Sequence, residues 1–544
     1  MKKTRILAML LVLLMAVSAF SGCADKKDKD GKKDIEISGV NEFPIVKEKV
    51  EFTVFATKSA FMTGHDNNEF TDWYEKKTGV HINWIEPSGD AQQSFNLMIA
   101  SGDYPDMILG MGLSREQVTS LVSQGVLVDI KDEIEQHGYY IKKMFEEEPS
   151  SKEYVTFGDA IYGVPKINAG YSSRMQNGLW IYKPWLDKLG LDMPETTEEF
   201  YEVLKAFKEQ DPNGNGIADE IPFCGRGLSK NYSASVEPYL MSAFIPTDGR
   251  IRYYFENGKA KYAPAEPEYR EGLRFFKKLY DEGLLYQDTF IIDRTQLTAI
   301  GENDVPILGA CTGSYQGYFC TSDGSTDRYW EFVSLPPLEG PDGVRATVPS
   351  NSISGGTSFM VTKECQHPDI AVKWVDWLLS LEGKRKSQAT GLVTYREAKP
   401  GELGLDGQQA LWAVEEASPE ERAKYEGKVN NLSWQNSGIW YNSYEESVRT
   451  YSTGKKNPVT YNFYTTYLPY AVDTHKSVTI AAEDADEYTD YQLITDEVDA
   501  SFAKFVTGEY DIDKDWDAYL ERLEGLGLSK YMKLLQRNYD RDNK

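Results

Sequence analysis

Val50-Glu51-Phe52-Thr53-Val54-Phe55-Ala56 alternates apolar and polar residues as a half-buried strand does. The elements after it set the fold class. Beyond a polar loop at 57–68, Glu69–Thr78 reads as a helix stopped by Gly79, and Val80–Ile85 alternates again as a strand. A helix at 92–100 stops at Ser101-Gly102, a strand comes next at 106–109, and Arg115–Ser123 is a helix with Gly125 just past its end. Strands alternating with helices predict an α/β fold with a largely parallel sheet and right-handed crossovers. Ligands of such sheets sit beyond the carboxyl ends of the strands, which puts the loops 57–68 and 110–114 at a cleft mouth. Gly110-Met111-Gly112 lacks the third glycine and the downstream acid of a dinucleotide fingerprint.

The N-terminus reads as an export signal. Lys2, Lys3 and Arg5 precede an apolar run from 6 to 20, too short for a membrane span. Ala19-Phe20-Ser21-Gly22-Cys23 places small residues before a cysteine, the pattern of a lipobox. The reading is a signal peptide at 1–22, a lipidated Cys23 and a charged, disordered tether through 47; an ordinary secretory signal is the alternative. At 544 residues the rest exceeds one core. A formal net charge of -26 speaks against nucleic acid and anionic membrane as partners, so membrane contact is expected only through the anchor. Cys224, Cys311, Cys320 and Cys365 read as isolated buried thiols, with a Cys311–Cys320 pair as the alternative. No CxxC or HExxH spacing is present.

A second stretch carries metal chemistry. Thr196 and Glu199 form a capping-box start for a helix running to Gln210. Asp211-Pro212-Asn213-Gly214-Asn215-Gly216-Ile217-Ala218-Asp219-Glu220 comes directly after, with oxygen-bearing side chains at Asp211, Asn213, Asn215 and Asp219. This opens like a calcium loop of EF-hand type, since hard cations want several oxygens from one tight turn. Pro222 stands where the bidentate glutamate would be, and Glu220 is the nearest substitute. A solvated Asn-Gly turn is the bland alternative.

Several blocks, in order, resemble the extracellular sugar-binding proteins of ABC importers. They are Ala100-Ser101-Gly102-Asp103-Tyr104-Pro105-Asp106-Met107-Ile108, Gly125 to Ile130, Ile161 to Pro165, Leu179 to Gly190, Gly356 to Val361 and Pro368 to Leu378. The resemblance implies a two-lobed periplasmic-binding-protein-like α/β fold of type II. It assigns 48–165 to lobe 1, 166–350 to lobe 2, and 351–544 to a hinge return with helix-rich segments completing both. Gly163-Val164-Pro165 and 349–356 are the expected crossings between lobes.

Similarity to the alginate-binding branch implies structural calcium held by Asp211, Asn213, Asn215, Asp219 and Glu220 side chains and the Ile217 carbonyl. Trp434 to Asn442 is the densest aromatic stretch, and its Trp434, Trp440 and Tyr441 are candidate sugar platforms. Similarity to maltose binders adds Glu237 and Tyr239. Cleft loops add His65, Asp66, Asn67, Ser314 and, at some distance, Trp330, and Tyr171 and Arg174 are candidates near the hinge. Core packing or a plain surface position is the alternative for each, and Trp374 and Trp377 read as core.

The implied function is capture of an oligosaccharide by a monomeric lipoprotein on the outer face of the cell membrane, with delivery to ABC permease subunits. Peptide or another solute is the runner-up. A glycan-binding surface or sensory protein, or a glycoside-acting enzyme, are further alternatives. No catalytic motif is legible: Gly313-Ser314-Tyr315-Gln316-Gly317 has its serine one place early for a nucleophile elbow.

Overall fold

The computed structural model describes residues 35–175, 178–227, 234–247, 249, 251–321, 328–350, 352–425, 427–452, 463–472, 478, 480, 484 and 491–542. Ten strands organise two lobes. They are β1 (Val50–Ala56), β2 (Val80–Ile85), β3 (Met107–Leu113), β4 (Val164–Asn168), β5 (Leu179–Tyr182), β6 (Ile221–Cys224), β7 (Leu308–Thr312), β8 (Phe332–Leu335), β9 (Ile353–Val361) and β10 (Tyr441–Asn442). The first lobe holds a six-stranded sheet in the order β10-β4-β9-β3-β1-β2, the second a four-stranded sheet in the order β8-β5-β7-β6.

Local chemistry sets the early elements where the sequence predicts them. Glu69–Thr78 begins at Asn68, whose side chain accepts from the Phe70 amide, and ends at Gly79 with φ 77. Helix Arg115–Ser123 carries a full capping box from Ser114 and Gln117. β1 pairs in parallel with β2 and β3. The sheet is nevertheless mixed, because β9 enters antiparallel between β3 and β4. β3 also runs on through Leu113, so 110–113 is strand where a loop was expected.

The strand directions define the cleft. β4 leads from the first sheet into the crossing segment and then β5, so the carboxyl end of β4 marks the hinge. β9 is antiparallel to β4, and β3 to β9, so the carboxyl ends of β3, β1 and β2 lie at the same edge. In the second sheet β7 is antiparallel to β5 and parallel to β6, so their carboxyl ends also face the hinge. Both lobes therefore present strand carboxyl ends to one interlobe cleft.

The chain crosses from the first sheet to the second beyond β4. Gly163 to Pro165 itself lies at and inside β4, and the chain leaves the first lobe only after Asn168. The return runs beside it: Ser350 N donates to Arg174 O (2.7 Å) and Asn168 N to Ser352 O (2.8 Å). A third passage lies between Tyr441, in the first core, and Val448, in the second.

Residues 35–47 correct the tether reading. Ile45 and Val46 are buried in the first lobe, and Ile35, Ile37 and Phe43 pack against it. Burial of these apolar side chains outweighs the charges around them, so the charged segment ends earlier than expected. The second core is closed from far along the chain, by Ile494, Phe502, Tyr519 and Leu535. Among the described residues no helix is long and apolar enough to cross a membrane. Cys224, Cys311, Cys320 and Cys365 are all buried and stand outside any disulfide of the described residues, so the Cys311–Cys320 alternative is not formed.

Candidate functional site

The first lobe builds its cleft edge from three chain segments. Thr57 Oγ1 donates to Gly110 O (2.8 Å), joining the end of β1 to β3. Ser59 N donates to Ser437 Oγ (2.6 Å), bringing in the loop before β10. Backbones here approach too closely for side chains. A Cβ on Gly110 would lie 3.0 Å from Gly438 N, and one on Gly112, at φ 64, would lie 2.3 Å from Gly355 O.

The aromatic stretch 434–441 divides by depth. Trp434 is fully buried, donates its Nε1 to Thr71 Oγ1 (2.8 Å), and packs on Phe70, Trp84 and Trp374. It has no exposed surface with which to touch a solute, a correction to its reading as a platform. Tyr441 is buried, with its hydroxyl donating to Glu147 Oε2 (2.5 Å); burial raises its phenol well above the usual range, and Glu147 adds to this. Trp440 is the member left at the edge: it is half-buried, its Nε1 has no partner among the described residues, and Lys166 Nζ lies 5.5 Å from its ring centre.

His65 is buried rather than exposed. Its Nδ1 meets Glu86 Oε1 at 2.6 Å, and its ring stacks on Trp84 at 4.3 Å. Asp66 and Asn67 are exposed beside it, Asn67 at φ 58. Arg174 donates Nε to Ser350 O (3.0 Å), so it ties the two crossings together. Tyr171 lies on the same short helix, Tyr171–Arg174, with its side chain outside the described residues. Cys23 is outside them too.

The second lobe separates its candidates more sharply. Ser314 comes after β7 at the hinge-facing edge and is half-buried, next to the exposed Tyr315. Trp330 precedes β8, whose first residue pairs with Tyr182 at the far end of β5, so it sits at the edge away from the cleft. Glu237 and Tyr239 are core residues, a correction to the maltose-binder analogy. The helix Val236–Met241 that carries them is buried on every side. Glu237 accepts from Arg252 Nη2 (3.2 Å) and from Tyr269 OH (2.5 Å), and Arg252 also reaches Asp499 Oδ1 (2.5 Å). Tyr239 OH lies 2.5 Å from Pro336 O.

The 211–220 loop is tied by its own side chains. Asp211, at φ 45, accepts from the amides of Gly214 (2.8 Å), Asn215 (3.1 Å) and Gly216 (3.0 Å). Asn213 and Asn215 direct their amide groups to Asp219 at 2.9 and 3.1 Å. Ile217 is exposed, and its alkyl side chain carries no donor atom, so only its carbonyl is available for a ligand role. Glu220 Oε1 is buried without a partner; burial raises its carboxyl, and Asp219 and Asp211 raise it further. Among the described residues no three His, Cys, Asp or Glu side chains converge as a metal-holding group. The loop carries the oxygen types a hard cation takes, amides with carboxylates, and Glu220 keeps one oxygen without a partner among the described residues.

Lys166 was missed by the sequence reading. A lone charge inside the apolar strand Val-Pro-Lys-Ile-Asn, one step before the crossing, was the signal available.

The chain matches the profile of the bacterial extracellular solute-binding protein family over residues 60–385. It is similar to the fructooligosaccharide ABC transporter substrate-binding protein FusA of Streptococcus pneumoniae serotype 4, with 29% identity over 549 residues covering 97% of each chain. A FusA structure in complex with kestose superposes with a TM-score of 0.70 at 26% identity, covering 91% of this chain and 100% of that one. A FusA EF-hand mutant in complex with fructo-nystose gives a TM-score of 0.69 at 26% identity, over the same shares of the two chains. Two lobes with strand ends facing one cleft, and a profile match over more than half the length, place this chain in the family of bacterial extracellular solute-binding proteins.

Proposed function

We propose that the protein captures an oligosaccharide between its lobes and delivers it to the permease subunits of an ABC importer, as a binding protein and not an enzyme. The observation that carries this reading is the similarity to FusA along 97% of both chains. Trp440 at the cleft edge supplies a ring face of the kind sugars stack on. Ligand contacts made by both lobes favour the closed form by their differential energy, and that form docks on the permease.

Calcium held at 211–220 would brace the second lobe. Asp211, Asn213, Asn215, Asp219 and Glu220 would supply side-chain oxygens and Ile217 its carbonyl, with the cation offsetting repulsion among three acids. The lipobox-like run before Cys23 supports attachment to the outer face of the membrane by lipid alone. The proposed working unit is a monomer; one chain supplies both walls of the cleft, so the site calls for no second copy.

Isothermal titration of the chain from residue 24 against oligosaccharides, kestose included, and against peptides tests the reading. Saturable binding of a saccharide, at about -8 kcal/mol for a micromolar Kd, is the expected result. Binding of peptides alone would sink it.

A further inference from the structure

The hinge edge of the first lobe holds a cation that, among the described residues, has no counter-ion. Lys166 lies on β4 opposite a break in β9: Ile353 faces Ile167 and Thr357 faces Pro165, so β9 takes four residues where β4 takes two. The extra length is absorbed by Gly355 at φ 118 and Gly356 at φ 64. A bulge of this kind re-aims what lies beside it. Here it clears the path of the lysine: a Cβ on Gly355 would lie 3.3 Å from Lys166 Cε.

The ammonium reached through that gap has the Trp440 ring 5.5 Å away, and no carboxylate of the described residues pairs with it. Burial alone acts on it, lowering its affinity for the proton. The same ring carries an indole N–H that is buried without an acceptor. Two donors therefore share one place with no acceptor between them among the described residues. Leaving such groups unmet is unfavourable, and functional sites are where such groups are kept. The chain is otherwise rich in acids, with 85 Asp and Glu against 59 Lys and Arg, so the absence of a carboxylate here is a local exception.

We propose that Lys166 and Trp440 form a subsite for an anionic sugar unit, its ring on the indole and its carboxylate or sulfate on the ammonium. The inference rests on the proposed saccharide capture and narrows its substrate class. The charge-bearing group is held at the hinge, so it is read in both open and closed forms.

The test exposes the chain from residue 24 to a mixed pool of neutral, uronate-bearing and sulfated oligosaccharides and identifies the retained species by mass spectrometry. The acidic species that is retained is then titrated against wild type, Lys166→Met and Lys166→Arg at two salt concentrations. Expected are enrichment of acidic species, an affinity at least tenfold weaker in Lys166→Met but largely kept in Lys166→Arg, and weaker binding at high salt. The mass of the retained species separates carboxylate from sulfate. Retention of neutral species alone, or of acidic species equally well by wild type and Lys166→Met, overturns the subsite and leaves saccharide capture standing. Retention of no saccharide overturns both. A melt of each variant shows whether it is folded, and if Lys166→Met is not, the salt dependence of wild type and the Arg variant decide: salt-independent binding overturns the subsite.

Discussion

Asp376 has 5% of its surface exposed and accepts the Ile141 amide at 2.8 Å. Burial raises its carboxyl to about 7, against the help of backbone amides at the start of helix Tyr139–Glu147. The unfolded carboxyl titrates near about 3.9, so between about pH 4 and 7 the folded state binds more protons, and stability falls as pH rises through that window. Stability should drop by on the order of 2–4 kcal/mol across it, and Asp376→Asn should remove that slope in urea melts at pH 4.5, 5.5 and 7. The tryptophans give a second residue-scale prediction. Trp434→Ala should destabilise by about 3–5 kcal/mol while leaving solute affinity within threefold. Trp440→Ala should do the reverse, with affinity at least tenfold weaker and the melt nearly unchanged. Equal effects on affinity from both would remove Trp440 from the site. The two residues stand six apart in one aromatic run, and composition could not tell them apart. Depth depends on which side of the loop meets Phe70 and Trp84, and those contacts come from more than 300 residues away.

At the scale of elements, the parts written locally are the parts the sequence predicts. Val50–Ala56, Glu69–Thr78, Val80–Ile85 and Arg115–Ser123 have their predicted bounds, because alternation, caps and stop glycines act within a few residues. The insertion of β9 between β3 and β4 was not legible, since strand order is set by partners distant in sequence. Glu237 failed for a related reason: its triplet matched, but its meaning depends on Arg252 and Asp499. That buried pair makes a clear prediction. Glu237→Ala leaves Arg252 charged and partly unmet, and should destabilise by about 3–5 kcal/mol in chemical denaturation. The Thr196 capping box, present as expected, should contribute about 1 kcal/mol, read as the loss in Thr196→Ala. For the loop at 211–220, removing calcium with a chelator should lower the Tm without abolishing the fold. Protein shown to contain calcium whose melt ignores excess chelator would argue against the brace.

For the whole molecule, the interlobe cleft predicts a change of shape. Bound saccharide should lower the radius of gyration in small-angle scattering, and unchanged scattering at saturation would argue against closure. The way both cores are completed bears on how the protein is made. The first core needs Phe359, Trp374 and Trp434, and the second needs Tyr519 and Leu535. A chain emerging from its N-terminus can finish neither core until most of its length exists. Contacts across such separations form late and slowly. For a member of an extracellular family, late closure would act as a timer, keeping the polypeptide threadable during export. Ribosome-bound chains ending before Tyr491 should remain protease-sensitive throughout the second lobe, and resistance there would mean that the final helices are not required to close it.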